Sequence, residues 1–185
     1  GAQKSSRMQV VNEDSEGVFG GIDFLEAVSQ GRAPNIKGMD VVVVGGGNTA
    51  IDASRTAIRL GANEVTIVYR RTRDEMPAEA FEVAAADKEG VKFRFLRAPI
   101  EVVKDGNKVA SLRCQVMELG EPDASGRRKP VPVKDKEDTV KAEIIIAAIG
   151  QGVDVAPVEG LELTKRGTIK VDEAGSTYKT NIDGV

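Results

Sequence analysis

The chain has 185 residues, 41% hydrophobic and 30% charged, with a net charge of −3, so it suits a soluble globular fold with a sizeable core and has no general attraction for nucleic acid or anionic membrane. It contains no histidine and a single cysteine, Cys114, which removes the commonest general base, any internal disulfide and any cysteine metal cluster. No apolar run is long enough to span a bilayer and no signal-peptide pattern opens the chain, so the default location is the cytoplasm.

Residues 1–16 are polar and read as a flexible start, with one domain over 17–185. Val18 to Gly31 reads as a short helix, because Ile22, Leu25 and Val28 recur at helical spacing. Pro34 to Gly38 is a turn. Val41–Val44 is β-branched without alternation, the pattern of a strand buried on both faces of a parallel sheet. Asn48–Leu60 is a helix whose Ala50, Ala53 and Ala57 allow close packing, and Gly61 suits its left-handed end. Glu64–Arg70 is the second strand. Pro77 fits the first turn of the next helix, with Phe81, Ala84 and Ala85 inward, and Val91–Leu96 is a third strand. Ile100–Lys104, Lys108–Glu118 and Val131–Val133 read as antiparallel strands. Asp105-Gly106-Asn107 forms a hairpin turn and Glu121–Pro130 a polar loop. Glu143–Ile149 is another buried strand that rejoins the main sheet, and Arg166–Val171 suggests a last hairpin. The class is therefore α/β: a Rossmann-like parallel sheet flanked by helices, with a small antiparallel meander.

Gly45-x-Gly47-x-x-Ala50 follows the first buried strand and opens a helix, which is the context that gives the GxGxxG/A pattern its meaning. Gly45 permits the tight turn, Gly47 leaves room for a pyrophosphate, and Ala50 keeps helix and strand close. Gly46, Asn48 and Thr49 complete the turn, where exposed amides and the positive helix end favour phosphate. A sheet of this kind that selects NAD carries an acidic residue at the end of the second strand. Here Tyr69-Arg70-Arg71 stands there with Arg73 just beyond, which fits the 2′-phosphate of NADP(H). Arg70 and Arg71 carry most of that reading.

These segments resemble a known family. Val43 to Asp52, Tyr69-Arg70-Arg71-Thr72-Arg73-Asp74-Glu75-Met76-Pro77-Ala78 and Glu89 to Phe93 look like the small (beta) subunit of NADPH-dependent glutamate synthase and its flavoprotein relatives of the pyridine nucleotide-disulfide oxidoreductase type. The resemblance implies an NADPH domain inserted in an FAD domain, which hands hydride to FAD held by the remainder of the same polypeptide. Electrons then pass on to a glutamate synthase large subunit or another acceptor. This chain carries neither FAD motif, so it reads as an excised central domain, with FAD belonging to the full-length protein only and the isolated domain inactive. Ile144 to Gln151 is similar to the segment that returns beside the cofactors in that family. Gly150 and Gln151 are thus either binding residues or an ordinary strand exit, with the resemblance favouring binding. The competing reading is a stand-alone NADP(H)-sensing module, and the plainest is a ligand-free scaffold. Asp52, placed in the first helical turn, favours the helix dipole over a role at the nicotinamide. Cys114 is a passive strand residue, Arg127-Arg128-Lys129 a solvated loop, and no catalytic or metal-ligating set stands out.

Overall fold

Lys4–Ser5 (β1) belongs with residues 150–185 in one unit, and residues 6–149 form a second. The computed structural model describes residues 4–122, 126–152, 159–165, 167–175 and 177–184.

In the larger unit, Val18–Gly20 (β2) leads into the helix Gly21–Ser29 (α1), and Asp40–Val44 (β3) into the helix Asn48–Arg59 (α2). Glu64–Tyr69 (β4), the helix Ala80–Lys88 (α3) and Lys92–Phe95 (β5) follow. Arg97–Asp105 (β6), Lys108–Pro122 (β7) and Arg128–Lys141 (β8) make an antiparallel meander, and Ile144–Ala147 (β9) closes the unit. The order β2-β9-β3-β4-β5 is parallel throughout. Successive strands run outward from β3 on one side, and β9 returns on the other, so the end of β3 lies at a topological switch point, where such sheets bind ligands.

The valine run explains the layering. Val41 and Val43 join Val65, Ile67, Ile144 and Ile146 against the helices, while Val42 and Val44 join Val68 and Ile145 against Val102, Leu112 and Cys114 of the meander. A strand covered on both faces has no wet side to alternate with. Each such side chain contributes about 1.5–3 kcal/mol when fully buried.

Four sequence expectations are corrected here. Val18–Gly20 is an edge strand rather than the first turn of α1, because its residues pair with Ile145, Ile146 and Ala147. Helix α3 begins at Ala80, three residues beyond Pro77, and buries Val83 and Ala86, whereas Phe81 is 72% exposed and Ala84 is exposed. Glu121–Pro122 and Arg128–Pro130 extend β7 and β8 instead of forming a loop, with the Arg128 guanidinium donating to the carbonyls of Leu119 and Gly120 at 2.8 and 3.1 Å. Asp52 lies in the second turn of α2, exposed, and the first turn holds no acidic residue.

The hairpin at Gly106-Asn107 forms as read, with Asp105 opposite Lys108 and Gly106 at φ +62°. Residues 7–14 tie themselves to β6: the amide of Val102 donates to Val11 at 2.9 Å and the Asn12 side chain donates to the carbonyl of Val102 at 3.1 Å. In the smaller unit, Gln151–Gly152 (β10) pairs antiparallel with β1, and Leu163 bridges Ile169 across a turn fastened by Thr164 and Thr168. Arg166, the first residue of the expected hairpin, lies outside the described residues.

Candidate dinucleotide site

Strand β3 ends in a turn in which each glycine has a different reason to be there. Gly45 sits at φ +143°, and a Cβ on it would stand 2.2 Å from the carbonyl oxygen of Ala148, the first residue past β9. Side chains have no room here, and L-residues avoid that backbone region. Gly46 lies against the ring of Tyr69, which a Cβ would meet at 2.6 Å. At Gly47 the nearest atom to such a Cβ is Pro77 Cγ at 3.9 Å, so the protein itself does not require glycine there. Ala50 is fully buried and approaches Gly45, as the motif demands of its small residue.

Gly47 is the N-cap of α2, and no side chain caps the helix. The amides of Gly46, Gly47 and Asn48 have no acceptor among the described residues. A helix leaves its first amides unpaired, and its positive end attracts anions. The turn therefore offers donors, positive potential and open space together, which fits a phosphate-bearing ligand.

The arginine segment begins where β4 ends, and its three arginines do three different things. Arg70 is exposed and makes no hydrogen bond or ion pair among the described residues. Arg71 is 5% exposed, and its Nε donates to the carbonyl of Arg128 at 2.7 Å, while its own carbonyl accepts the amide of Leu96 at 3.1 Å. Arg73 lies over the Phe93 ring at 4.7 Å and the Phe95 ring at 5.8 Å, with its guanidinium 3.1 Å from Asp87. The rings themselves stack at 5.5 Å, and a groove of about 630 Å³ runs beside them, lined by Arg73, Asp87, Lys92 and Arg94.

Residues 72–79 connect the arginines to α3 without a fully buried side chain, and polar bonds hold them. Thr72 and Glu75 form a capping box around the short 3-10 turn Arg73–Glu75. The Thr72 hydroxyl and amide hold the Glu75 carboxyl below its usual range. Tyr69 donates its hydroxyl to the carbonyl of Glu75 at 2.8 Å, Ala78 donates its amide to the carbonyl of Gly46 at 3.1 Å, and Glu79 donates its amide to Asn48 Oδ1 at 3.0 Å. Sequence reasoning missed Tyr69 and the Ala78–Glu79 pair as parts of the site. Their only signal was the family match from Tyr69 to Ala78.

Thr49 lies in the first turn of α2, partly buried beside Gly21. Gly150, at φ +138°, and Gln151, opposite Ser5, belong to the smaller unit. Burial pushes the Cys114 thiol up to about 12, which leaves it protonated and unreactive at neutral pH.

The sequence profile described as pyridine nucleotide-disulphide oxidoreductase matches residues 1–185. The chain is 45% identical over 188 residues to the NADP(+)-dependent formate dehydrogenase subunit beta of Moorella thermoacetica, covering 100% of this chain and 26% of that protein. It is 49% identical over 195 residues to the NADPH-Fe(3+) oxidoreductase subunit beta of Geobacter sulfurreducens, covering 98% and 29%. The glutamate synthase [NADPH] small chain of Halomonas elongata is 39% identical over 176 residues, covering 89% and 37%. The chain thus spans well under half the length of each of these curated relatives. Among solved structures, Mycobacterium tuberculosis FprA in complex with NADPH superposes with a TM-score of 0.73 at 23% identity, over 92% of this chain and 52% of that one, which speaks for the fold. The site's strand–glycine turn–helix core, the strands around it and the full-length profile match agree: this chain belongs to the pyridine nucleotide-disulphide oxidoreductase family.

Proposed function

We propose that residues 6–149 bind NADP(H), with the pyrophosphate on the amides of Gly46, Gly47 and Asn48 and the 2′-phosphate on Arg70. The observation that carries this reading is the pairing of an uncapped helix start, open above Gly47, with an arginine that has no partner among the described residues. Thr49 and Ala50 shape the same turn. Arg71 supports the strand end from inside, and Arg73 borders the ribose side from its aromatic seat. NADPH, when bound, supplies a hydride, and the chain's own task is to place and orient it.

In the longer protein, the proposed acceptor is FAD held by the remainder of the polypeptide, and beyond it a glutamate synthase large subunit or another electron acceptor. The relatives' names support an NADP-linked oxidoreductase and leave that acceptor to be found.

Calorimetric titration of the purified chain with NADPH and NADH tests the core of the proposal. The expected result is binding of both, with NADPH tighter. Equal affinities would sink the 2′-phosphate assignment, and no heat with either nucleotide at millimolar concentration would sink the site. Stopped-flow reduction of flavin in the full-length protein tests the hydride step separately.

A further inference from the structure

We propose that Asn48 is a positioning residue, which ties the phosphate turn to the arginine-bearing segment and makes the two halves of the nucleotide site one rigid unit. The inference rests on the NADP(H) reading above and assigns the Asn48 side chain a part different from the phosphate binding proposed for its main-chain amide.

Asn48 is the first residue of α2, and its side chain reaches across to residue 79. Oδ1 accepts the Glu79 amide at 3.0 Å, one residue beyond the Ala78 amide that bonds to the carbonyl of Gly46. The middle of the segment is fastened by Tyr69, whose ring lies on Gly46 and whose hydroxyl reaches the carbonyl of Glu75. Ahead of these anchors the Thr72–Glu75 capping box keeps the turn in shape. The segment that starts directly after Arg70 and Arg71 is thus bonded to the glycine turn at Ala78 and Glu79, and held at Glu75 by Tyr69, which packs on that turn. Apart from the partly buried Met76 and Ala78, which pack against the core, none of its side chains is drawn inward, so these bonds add to a modest apolar contact in holding the loop.

The bond also fixes which part of the Asn48 side chain remains available. One lone pair of its acceptor oxygen is committed to Glu79, and the amide nitrogen is left to donate to a ligand. Where the segment moves, Arg73 moves with it, and so does the backbone that follows Arg70. The half of the site that recognises the 2′-phosphate therefore depends on Asn48 more than the half that holds the pyrophosphate.

The experiment compares wild type with Asn48→Leu, Asn48→Asp and Arg70→Ala, reading amide hydrogen exchange without nucleotide and the Kd ratio of NADH to NADPH. Asn48→Leu is expected to speed exchange of the Glu79 amide and to lower the ratio roughly 2- to 10-fold, the scale of one lost hydrogen bond. Asn48→Asp retains an acceptor at the same place, so it is expected to keep both the Glu79 protection and the ratio, even where its charge weakens both nucleotides together. Unchanged Glu79 exchange in Asn48→Leu overturns the tie. An equal loss for NADPH and NADH in that variant overturns the coupling and makes the Asn48 side chain a direct phosphate ligand. Failure of the nucleotide reading looks different: wild type and Arg70→Ala then show the same ratio, and the exchange measurement alone judges Asn48.

Discussion

The glycine turn and the arginine segment are both short motifs, and in each the residues divide between holding the fold and facing the ligand. In the turn, Gly45 and Gly46 are glycines because Ala148 and Tyr69 come too close for anything else, whereas Gly47 borders open space. In the segment, Arg71 is sunk into the structure and Arg73 is laid on two phenylalanine rings, whereas Arg70 points to solvent without a partner among the described residues. Motif letters that look equivalent in the sequence are thus unequal in the molecule. The residue that the protein does not need for itself is the one assigned to the nucleotide.

Substitutions sharpen this division. Gly45→Ala has the largest expected effect, a loss of about 3 kcal/mol or more, because backbone strain and overpacking add at one site. Denaturant unfolding measures it, and wild-type stability in that variant would break the assignment of Gly45 to the fold. Arg71→Ala comes next, with a stability loss of about 2–3 kcal/mol from removing a buried charged donor to the Arg128 carbonyl. Arg70→Ala is expected to leave the unfolding midpoint in place and weaken NADPH roughly 10- to 100-fold, with NADH unaffected, as one charge-assisted contact to a phosphate is lost. If the two arginines exchange these outcomes, the comparison is inverted. Gly47→Ala is expected to fold normally and weaken both nucleotides about tenfold, since its methyl enters the space assigned to the pyrophosphate.

The smallest effect concerns acid stability. Lys141, at 2.7 Å, and then Asn63 donate to Asp40 at the start of β3 and hold its carboxyl below the ordinary 3.8. Because the unfolded chain protonates this group first, its contribution is present above about pH 4 and fades as pH falls through the lower folded value. Asp40→Asn is therefore expected to melt below wild type at neutral pH and to converge with it in acid, as thermal melts at several pH values show.

Much of the fold was legible. The Val41–Val44 run, the glycines after it and the Asp-Gly-Asn turn each carry a local cause that survives in the structure. What escaped was set by distant partners. Val18–Gly20 is too short to show a period, and becomes a strand only beside Ile145 and Ala147. Pro130 closes what reads as a polar loop, yet β8 is an edge strand of the meander, where proline is tolerated. In α3 the bulky Phe81 suggested the wrong inward face, and the smaller Val83 and Ala86, spaced by three, are the ones that pack. The site followed the same rule. The turn and the arginines were visible as letters, but the burial of Arg71 depends on the carbonyl of Arg128, far along the chain, and no local pattern announces it.

The close approach of Ala148 to Gly45 also has a consequence in time. The turn receives its neighbour from a strand that arrives about a hundred residues later, after the whole meander has been laid down. Contacts of such wide separation form slowly, because the intervening loop must close before they stabilise anything. A newly made chain thus owns every residue of its glycine turn long before it owns the turn itself, and on the proposed function competence to hold the nucleotide becomes a late sign that the domain has finished folding.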